Sequence, residues 1–431
     1  MNYFEVEYAK LARRVKKIRE NPDPTKLRAT GLLYELEMEL RAHEMDAWKE
    51  GRPFCVGSGI PALITSMGFE YLSITAEADR VTNAAKYFDI VRAHGYPDHH
   101  CDRTIIGVGM VLAKDIPVPA MTVVLNNGCD PMMLLGHTVG QFYSPNCFCI
   151  DIDAAHDKPS ERLLAYTTQQ LGEFIEFCES RVPGIRYNED RMLELIEMEK
   201  KARDYLRDIY ELRKRSPCPI SGQDVFRLPR GPSQFPHPEK VVEYYRVLHD
   251  EIAERVEKGQ GVVKEEKARI MWTITAPFFA DVFKVLEAQG ASVVHFQNGG
   301  SARAFGKKGY YGDDNEYGRK LTPLEDQARV LTLGSWAGLA NLWVDDTIYF
   351  CKELGIDGIV NFEQWGCVAA VLTRKVLQDR VEKELGIPNL FIEGRNLDNS
   401  TFNMRDFQER MEHFVQICIE RKSQRLKAPA L

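Results

Sequence analysis

Three cysteines sit at places where the chain turns into a helix. Cys101 follows His99-His100, Cys129 lies in Asn127-Gly128-Cys129-Asp130-Pro131, and Cys367 ends Glu363-Gln364-Trp365-Gly366-Cys367. The local pattern predicts a strand ending and a helix beginning at these points. A helix N-terminus offers unpaired N–H groups and a positive dipole end, which favour thiolate over thiol and therefore a metal ligand. Three such sulfurs suit an iron–sulfur cluster with one open iron. Their wide spacing does not match a ferredoxin run, so any cluster must be assembled from separate parts of the fold.

Other reactive side chains read more plainly. Cys178, Cys351 and Cys418 fall on apolar helix faces, as in Phe174-Ile175-Glu176-Phe177-Cys178, and read as small buried hydrophobes. Cys147 and Cys149 alternate on a strand, sulfurs on one face, yet no second pair nearby completes a zinc site. His99 and His100 point in different directions and read as a surface loop, since no partner pair has finger spacing. Gly57-Ser58-Gly59-Ile60-Pro61-Ala62 resembles a dinucleotide turn, echoed by Gly107-Val108-Gly109, but no acidic residue ends a second strand at the required distance. The segment from Asn298 to Asp314 is dense in glycine, basic and aromatic. It has two readings: a lid with Arg303, Lys307 and Lys308 facing phosphates of an anionic ligand, or a solvated loop.

The elements that must position these groups alternate. Residues 1–50 are charged and periodic, with Leu11, Val15 and Ile18, then Leu32, Leu33, Leu36, Met38 and Leu40, on helical spacing. Phe54-Cys55-Val56 reads as a strand, and Pro61 suits the first turn of a helix. Further strands are expected at 70–74, 120–126, 147–152, 269–275, 292–297, 357–361 and 389–392. Helices are expected near 80–94, 131–142, 279–289, 342–354, 368–385 and 403–421, with long helical stretches at 161–215 and 238–259. The chain therefore divides into an N-terminal helical segment (1–50), an α/β domain (51–160), a helical linking layer (161–265) and a second α/β domain (266–431). Runs such as Ala120-Met121-Thr122-Val123-Val124-Leu125 are continuously apolar, as in parallel sheets covered on both faces. Ligands collect beyond the carboxyl ends of such strands.

Composition bounds the rest. The 431 residues, 44% hydrophobic and 28% charged, are those of a globular protein of two or three domains. A net charge of −7 argues against a general nucleic-acid binder. An anionic ligand would need a local basic pocket. Nothing at the N-terminus has signal-peptide form, and no apolar run approaches the roughly 20 residues of a membrane span, so the expected location is the cytoplasm. There, ten cysteines are expected to be reduced.

Pro53-Phe54-Cys55-Val56-Gly57-Ser58-Gly59-Ile60-Pro61, then Cys101, Cys129, Gly366-Cys367 and the tail from Pro388-Asn389-Leu390-Phe391-Ile392-Glu393-Gly394-Arg395 to Arg405–Phe414 resemble the 2-hydroxyacyl-CoA dehydratase and benzoyl-CoA reductase superfamily over about residues 50–421. The resemblance implies two flavodoxin-like parallel-sheet domains with added helices. It implies one [4Fe–4S] cluster per subunit on Cys101, Cys129 and Cys367, with an exchangeable fourth iron site, and a segment around Gly57 and Ser58 that faces the cluster. It also implies a homologous second subunit, in a hetero- or homodimer, and an acyl-CoA substrate. Low-potential electrons would come from a separate ATP-hydrolysing activase. Family members commonly carry an acid where this chain has Ala62, and a second near Glu393 where it has Gly394-Arg395. Cys101-Asp102-Arg103 favours the aromatic-reducing branch, which transfers electrons to a ring. Dehydration through a ketyl radical, a related protein with a larger iron–sulfur assembly acting on small molecules, and a zinc-binding structural protein stay open beside it.

Overall fold

The computed structural model describes residues 2–23, 26–57, 59–97, 99–126, 129–153, 159–228, 231–297, 315–334 and 338–427. Ser58, Arg303, Lys307 and Lys308 lie outside the described residues. The chain opens with α1 (Tyr3–Glu20) and α2 (Arg28–Lys49), then runs β1 (Phe54–Val56), α3 (Pro61–Ser66), β2 (Glu70–Leu72), α4 (Ile74–Ala78), α5 (Ala84–Ala93), α6 (Asp102–Leu112), β3 (Met121–Leu125), α7 (Asp130–Phe142) and β4 (Cys147–Ile150). A helical stretch follows: α8 (Glu161–Arg181), α9 (Glu189–Leu212), α10 (Gly222–Phe226) and α11 (Pro238–Glu257). The second α/β half comprises β5 (Ala268–Thr273), α12 (Phe283–Ala288), β6 (Ala291–Gln297), α13 (Pro323–Leu333), α14 (Ala340–Glu353), β7 (Gly358–Gln364), α15 (Val368–Leu385), β8 (Asn389–Gly394) and α16 (Met404–Lys427).

Both sheets are parallel and have the same internal order: β2-β1-β3-β4 in the first and β6-β5-β7-β8 in the second. The order reverses between β1 and β3, and again between β5 and β7, which gives each sheet one crevice at its carboxyl edge. Apolar side chains from both faces of each sheet are buried, as the continuous strand runs require. One face of the first sheet packs on α8, α9 and α13 through Met121, Val123, Leu171 and Leu331. Its other face packs on α4 to α7 through Phe54, Val56, Leu72 and Ile106. In the second sheet Trp272 and Phe362 meet α12 and α16, while Met271, Val294 and Ile359 face the helical stretch, α14 and α15. Each fully buried side chain of this size contributes roughly 1.5–3 kcal/mol.

The N-terminal hairpin is tied to the first sheet's helices by a buried charge pair. Arg41 on α2 donates to both carboxylate oxygens of Glu77 on α4, at 2.5 and 3.0 Å, and both residues are fully buried.

Two expectations are corrected. The stretch 161–215 is broken at Val182-Pro183-Gly184, where Gly184 takes φ +84°, so α8 and α9 are separate helices. Cys101 does not follow a strand: it follows α5 and a turn. Gly107 and Gly109 lie inside α6, which agrees with setting the dinucleotide-turn reading aside. A Cβ at Gly109 would stand 2.6 Å from Tyr87 Cβ and 2.9 Å from its carbonyl oxygen, so this glycine lets α5 and α6 approach closely, while a Cβ at Gly107 would stand 2.7 Å from Ile74 Cγ2 on α4.

Candidate functional site

Cys101, Cys129 and Cys367 are each the residue immediately before a helix, leading into α6, α7 and α15. Cys129 follows β3 and Cys367 follows β7, the topologically equivalent strands of the two sheets, each bordering its crevice. The third cysteine arrives from a different connection, because α6 starts after the α5 turn. All three keep part of their surface open, and their thiols act on one another: Cys367 and Cys129 both raise Cys101, and Cys367 raises Cys129. Among the described residues no three His, Cys, Asp or Glu side chains close on a single metal ion.

Two contacts hold the Cys101 and Cys367 segments together. Gly366, at φ +76°, lies against the backbone of His100 and Cys101: a Cβ there would stand 2.5 Å from His100 C and 2.6 Å from Cys101 N. Asp102, which is fully buried, accepts from Arg395 Nη1 at 2.7 Å and from the Leu397 N–H at 3.0 Å. Arg395 in turn lies over the rings of Phe88 and Trp365, 4.8 and 5.3 Å from their centroids. The helix that starts at Cys101 is thereby clamped to the loop after β8 and to the turn that carries Cys367. At the place where an acid was expected from the resemblance, Arg395 serves as this clamp.

Arg103 places positive charge beside the sulfurs. It bonds Asp79 at 2.5 Å and lies 5.5 Å from the Phe278 ring; burial works against its charge, and Asp79, ahead of Cys101 and Cys367, holds it. Even so, burial dominates the thiols. It pushes Cys101 up to about 12, opposed by Arg103, and raises Cys129 as well, opposed by the Met132 N–H. The expectation of helix-stabilised thiolates is corrected on this point, because desolvation of a buried charge outweighs a partial dipole. In the metal-free protein Cys101 and Cys129 should therefore alkylate slowly with iodoacetamide at neutral pH. Their rates should keep climbing with pH past about 8.5, where a free cysteine is half ionised. Peptide mass spectrometry over a pH series would read this, and a plateau below that pH would contradict it.

Gly57 ends β1, on the same crevice as Cys129. A Cβ at Gly57 would collide with Val123 Cγ1, so close strand packing requires glycine there. At the second sheet the strand ends are polar and buried. Thr273 donates to Asn361 Oδ1 at 2.9 Å and Thr347 to Gln297 Oε1 at 3.0 Å, while Gln297 Nε2 and Asn361 Nδ2 have no acceptor among the described residues. Beside them Ile274 holds φ +73°, with the Thr275 N–H bonded to Thr273 O at 3.1 Å. A β-branched residue in the left-handed region is strained by roughly 1–3 kcal/mol, and such strain concentrates at functional sites. Sequence reading missed Gln297, Asn361, Asp102 and Arg395; a polar residue closing an apolar strand was the available signal.

A basic cavity of about 960 Å³ lies elsewhere, among α1, α2, α10 and α11, with Lys10, Arg13, Arg14, Lys17 and Arg227 in its lining. No helix among the described residues is long and apolar enough to cross a membrane.

Comparison with known proteins agrees with this architecture. The family model described as 2-hydroxyglutaryl-CoA dehydratase, D-component, matches residues 61–418. A benzoyl-CoA reductase subunit from Thauera aromatica is 23% identical over 434 residues, covering 93% of this chain and 97% of that protein. The (R)-phenyllactyl-CoA dehydratase alpha subunit of Clostridium sporogenes is 20% identical over 417 residues, covering 93% and 98%. The alpha subunit of (R)-2-hydroxyglutaryl-CoA dehydratase from Acidaminococcus fermentans is 21% identical over 305 residues, covering 70% and 61%. With a match across most of its length, two parallel sheets of one order and cysteines at equivalent strand ends, the chain belongs to the 2-hydroxyglutaryl-CoA dehydratase D-component family.

Proposed function

We propose that this chain is a subunit of an acyl-CoA-processing enzyme and holds a [4Fe–4S] cluster through Cys101, Cys129 and Cys367. The observation that carries the reading is the convergence of three mutually interacting thiols, two of them at equivalent strand ends. The donor set fits the group: cysteine thiols are the usual ligands of iron–sulfur clusters, these three act on one another, and three ligands leave one iron open. When bound, such a cluster supplies single electrons to a thioester or ring held close by. The low-potential electrons would come from a separate ATP-hydrolysing activase. A homologous subunit would complete the enzyme, since relatives are named as subunits.

The protein's own residues would do the positioning. Arg103 would offset negative charge at the sulfurs. Gln297 Nε2 and Asn361 Nδ2, buried donors without acceptors among the described residues, would take a carbonyl oxygen, because leaving each one orphaned costs roughly 1–3 kcal/mol. The crevice ends of β1 and β3 would shield the reacting group from water. Gly57 and Ser58 would face the cluster, and Arg303, Lys307 and Lys308 would meet the phosphates of the substrate.

Reduction of an aromatic acyl-CoA is the favoured chemistry. It is supported by the identity to the benzoyl-CoA reductase relative, 23% against 20–21% for the dehydratase relatives, and by the rings of Trp365 and Phe278 beside Arg395 and Arg103. Dehydration of a 2-hydroxyacyl-CoA is the second reading, favoured by the family description. Anaerobically purified protein should contain iron and sulfide and absorb in the visible range, and Cys129→Ser should lose most of the iron. A Cys129→Ser protein with full iron content would falsify the cluster assignment. Turnover of benzoyl-CoA against a 2-hydroxyacyl-CoA, with a reducing activase present, separates the two chemistries.

A further inference from the structure

Arg213 takes no part in the site described above, yet it carries a charge in the protein interior. It caps the C-terminus of α9 and is 5% exposed. The neighbouring acids are engaged elsewhere: Glu266 pairs with Arg269, and Glu211 and Glu353 both pair with Lys214. Among the described residues Arg213 has no ion pair. Its Nη2 meets His295 Nδ1 at 3.5 Å, the outer limit of a hydrogen bond, and its Nε has no partner. The guanidinium carbon lies 5.5 Å from the Tyr210 ring centroid. A buried cation is costly unless paired and hydrogen-bonded, so this arrangement calls for an anion.

Space for one exists. Arg213 lines a cavity of about 260 Å³ between α9, α10, α11 and the end of β6, which shares no residue with the three cysteines. Its walls include Leu206, Phe226, Tyr245 and Phe296, with the Phe226 and Phe296 rings 4.9 Å apart. Glu199 also lines it, but its carboxylate already accepts the Ser233 N–H at 3.0 Å and hydroxyl at 2.5 Å. Burial and the adjacent Arg213 hold His295 well below the usual histidine range, so it stays neutral there.

We propose that this cavity binds a small carboxylate with a flat apolar body, paired through its two oxygens with the guanidinium of Arg213. A guanidinium matches a carboxylate fork to fork. The aromatic walls favour an apolar body over phosphate. The volume lies just below the roughly 300–1,000 Å³ of drug-sized pockets, which suits a single ring or a short branched chain.

The test uses the full-length protein, purified anaerobically, with benzoate, acetate and inorganic phosphate as probes in calorimetry and ligand-observed NMR. Benzoate should bind, and acetate and phosphate should bind at least roughly tenfold more weakly. Arg213→Met removes the counter-ion, and Leu206→Trp fills the cavity while leaving Arg213 in place; each should weaken benzoate at least roughly tenfold. Should Arg213→Met fail to fold, the wild-type and Leu206→Trp proteins decide the matter. Absence of benzoate binding, binding unchanged in the folded variants, or phosphate binding as tight as benzoate each overturns the proposal.

Discussion

Replacing Gly366 with alanine should separate Cys101 from Cys367 and lower the iron content of the purified protein. Two penalties act together. At φ +76° a side chain enters the left-handed region, and the new Cβ would stand 2.5–2.7 Å from His100 C, His100 Cα and Cys101 N. These are backbone atoms, which cannot swing aside like the tip of a side chain. Strain of roughly 1–3 kcal/mol adds to overpacking of roughly 1–3 kcal/mol. The turn closed by the Cys367 N–H to Gln364 O bond must therefore lift off the Cys101 segment. Gly386→Ala is the control: it also has positive φ, at +62°, but nothing lies within 4 Å of its Cβ. It should cost only roughly 1–2 kcal/mol and leave iron binding intact. Iron and sulfide per chain, with chemical denaturation of all three proteins, give the answer. Full iron loading and unchanged stability in Gly366→Ala would remove this contact from the account.

The second large effect is expected at Asp102 and Arg395. Both are buried, at 0% and 7% exposure, so removing one partner strands the other charge in the interior. Asp102→Ala and Arg395→Ala should each destabilise the protein by roughly 3–5 kcal/mol. Asp102→Ala also orphans the Leu397 N–H. The double variant should lose less than the sum of the two singles, by roughly 0.5–3 kcal/mol, because it leaves no unpaired charge behind. Urea unfolding of the four proteins completes the cycle. Strictly additive losses would mean that the pair does not act as a clamp, and that Arg395 stabilises only through Phe88 and Trp365.

Much of the fold was legible because its signals are local. The continuous apolar runs at 120–126 and 292–297 became β3 and β6, and Pro61 and Pro131 mark the starts of α3 and α7. Only the start of α6, at Cys101, was legible: its body is buried on nearly every side, so it lacks the polar face that reveals amphipathic helices, and two glycines interrupt it. The capping box Thr322–Glu325, with Pro323 at the first helical position, did announce α13, yet that stretch went unread.

For the site, the sequence by itself determined which residues can donate sulfur and that each precedes a helix, since glycine, proline and polar neighbours fix those turns locally. Only the tertiary structure decided that Cys129 and Cys367 occupy equivalent strand ends, that Gly366 rests on the Cys101 backbone, and that Arg395 closes on Asp102. Those contacts join residues hundreds of positions apart, and their energies depend on burial and approach distance. The helix starts visible in the sequence argued for thiolate, whereas burial, which only the folded chain reveals, raises the Cys101 thiol.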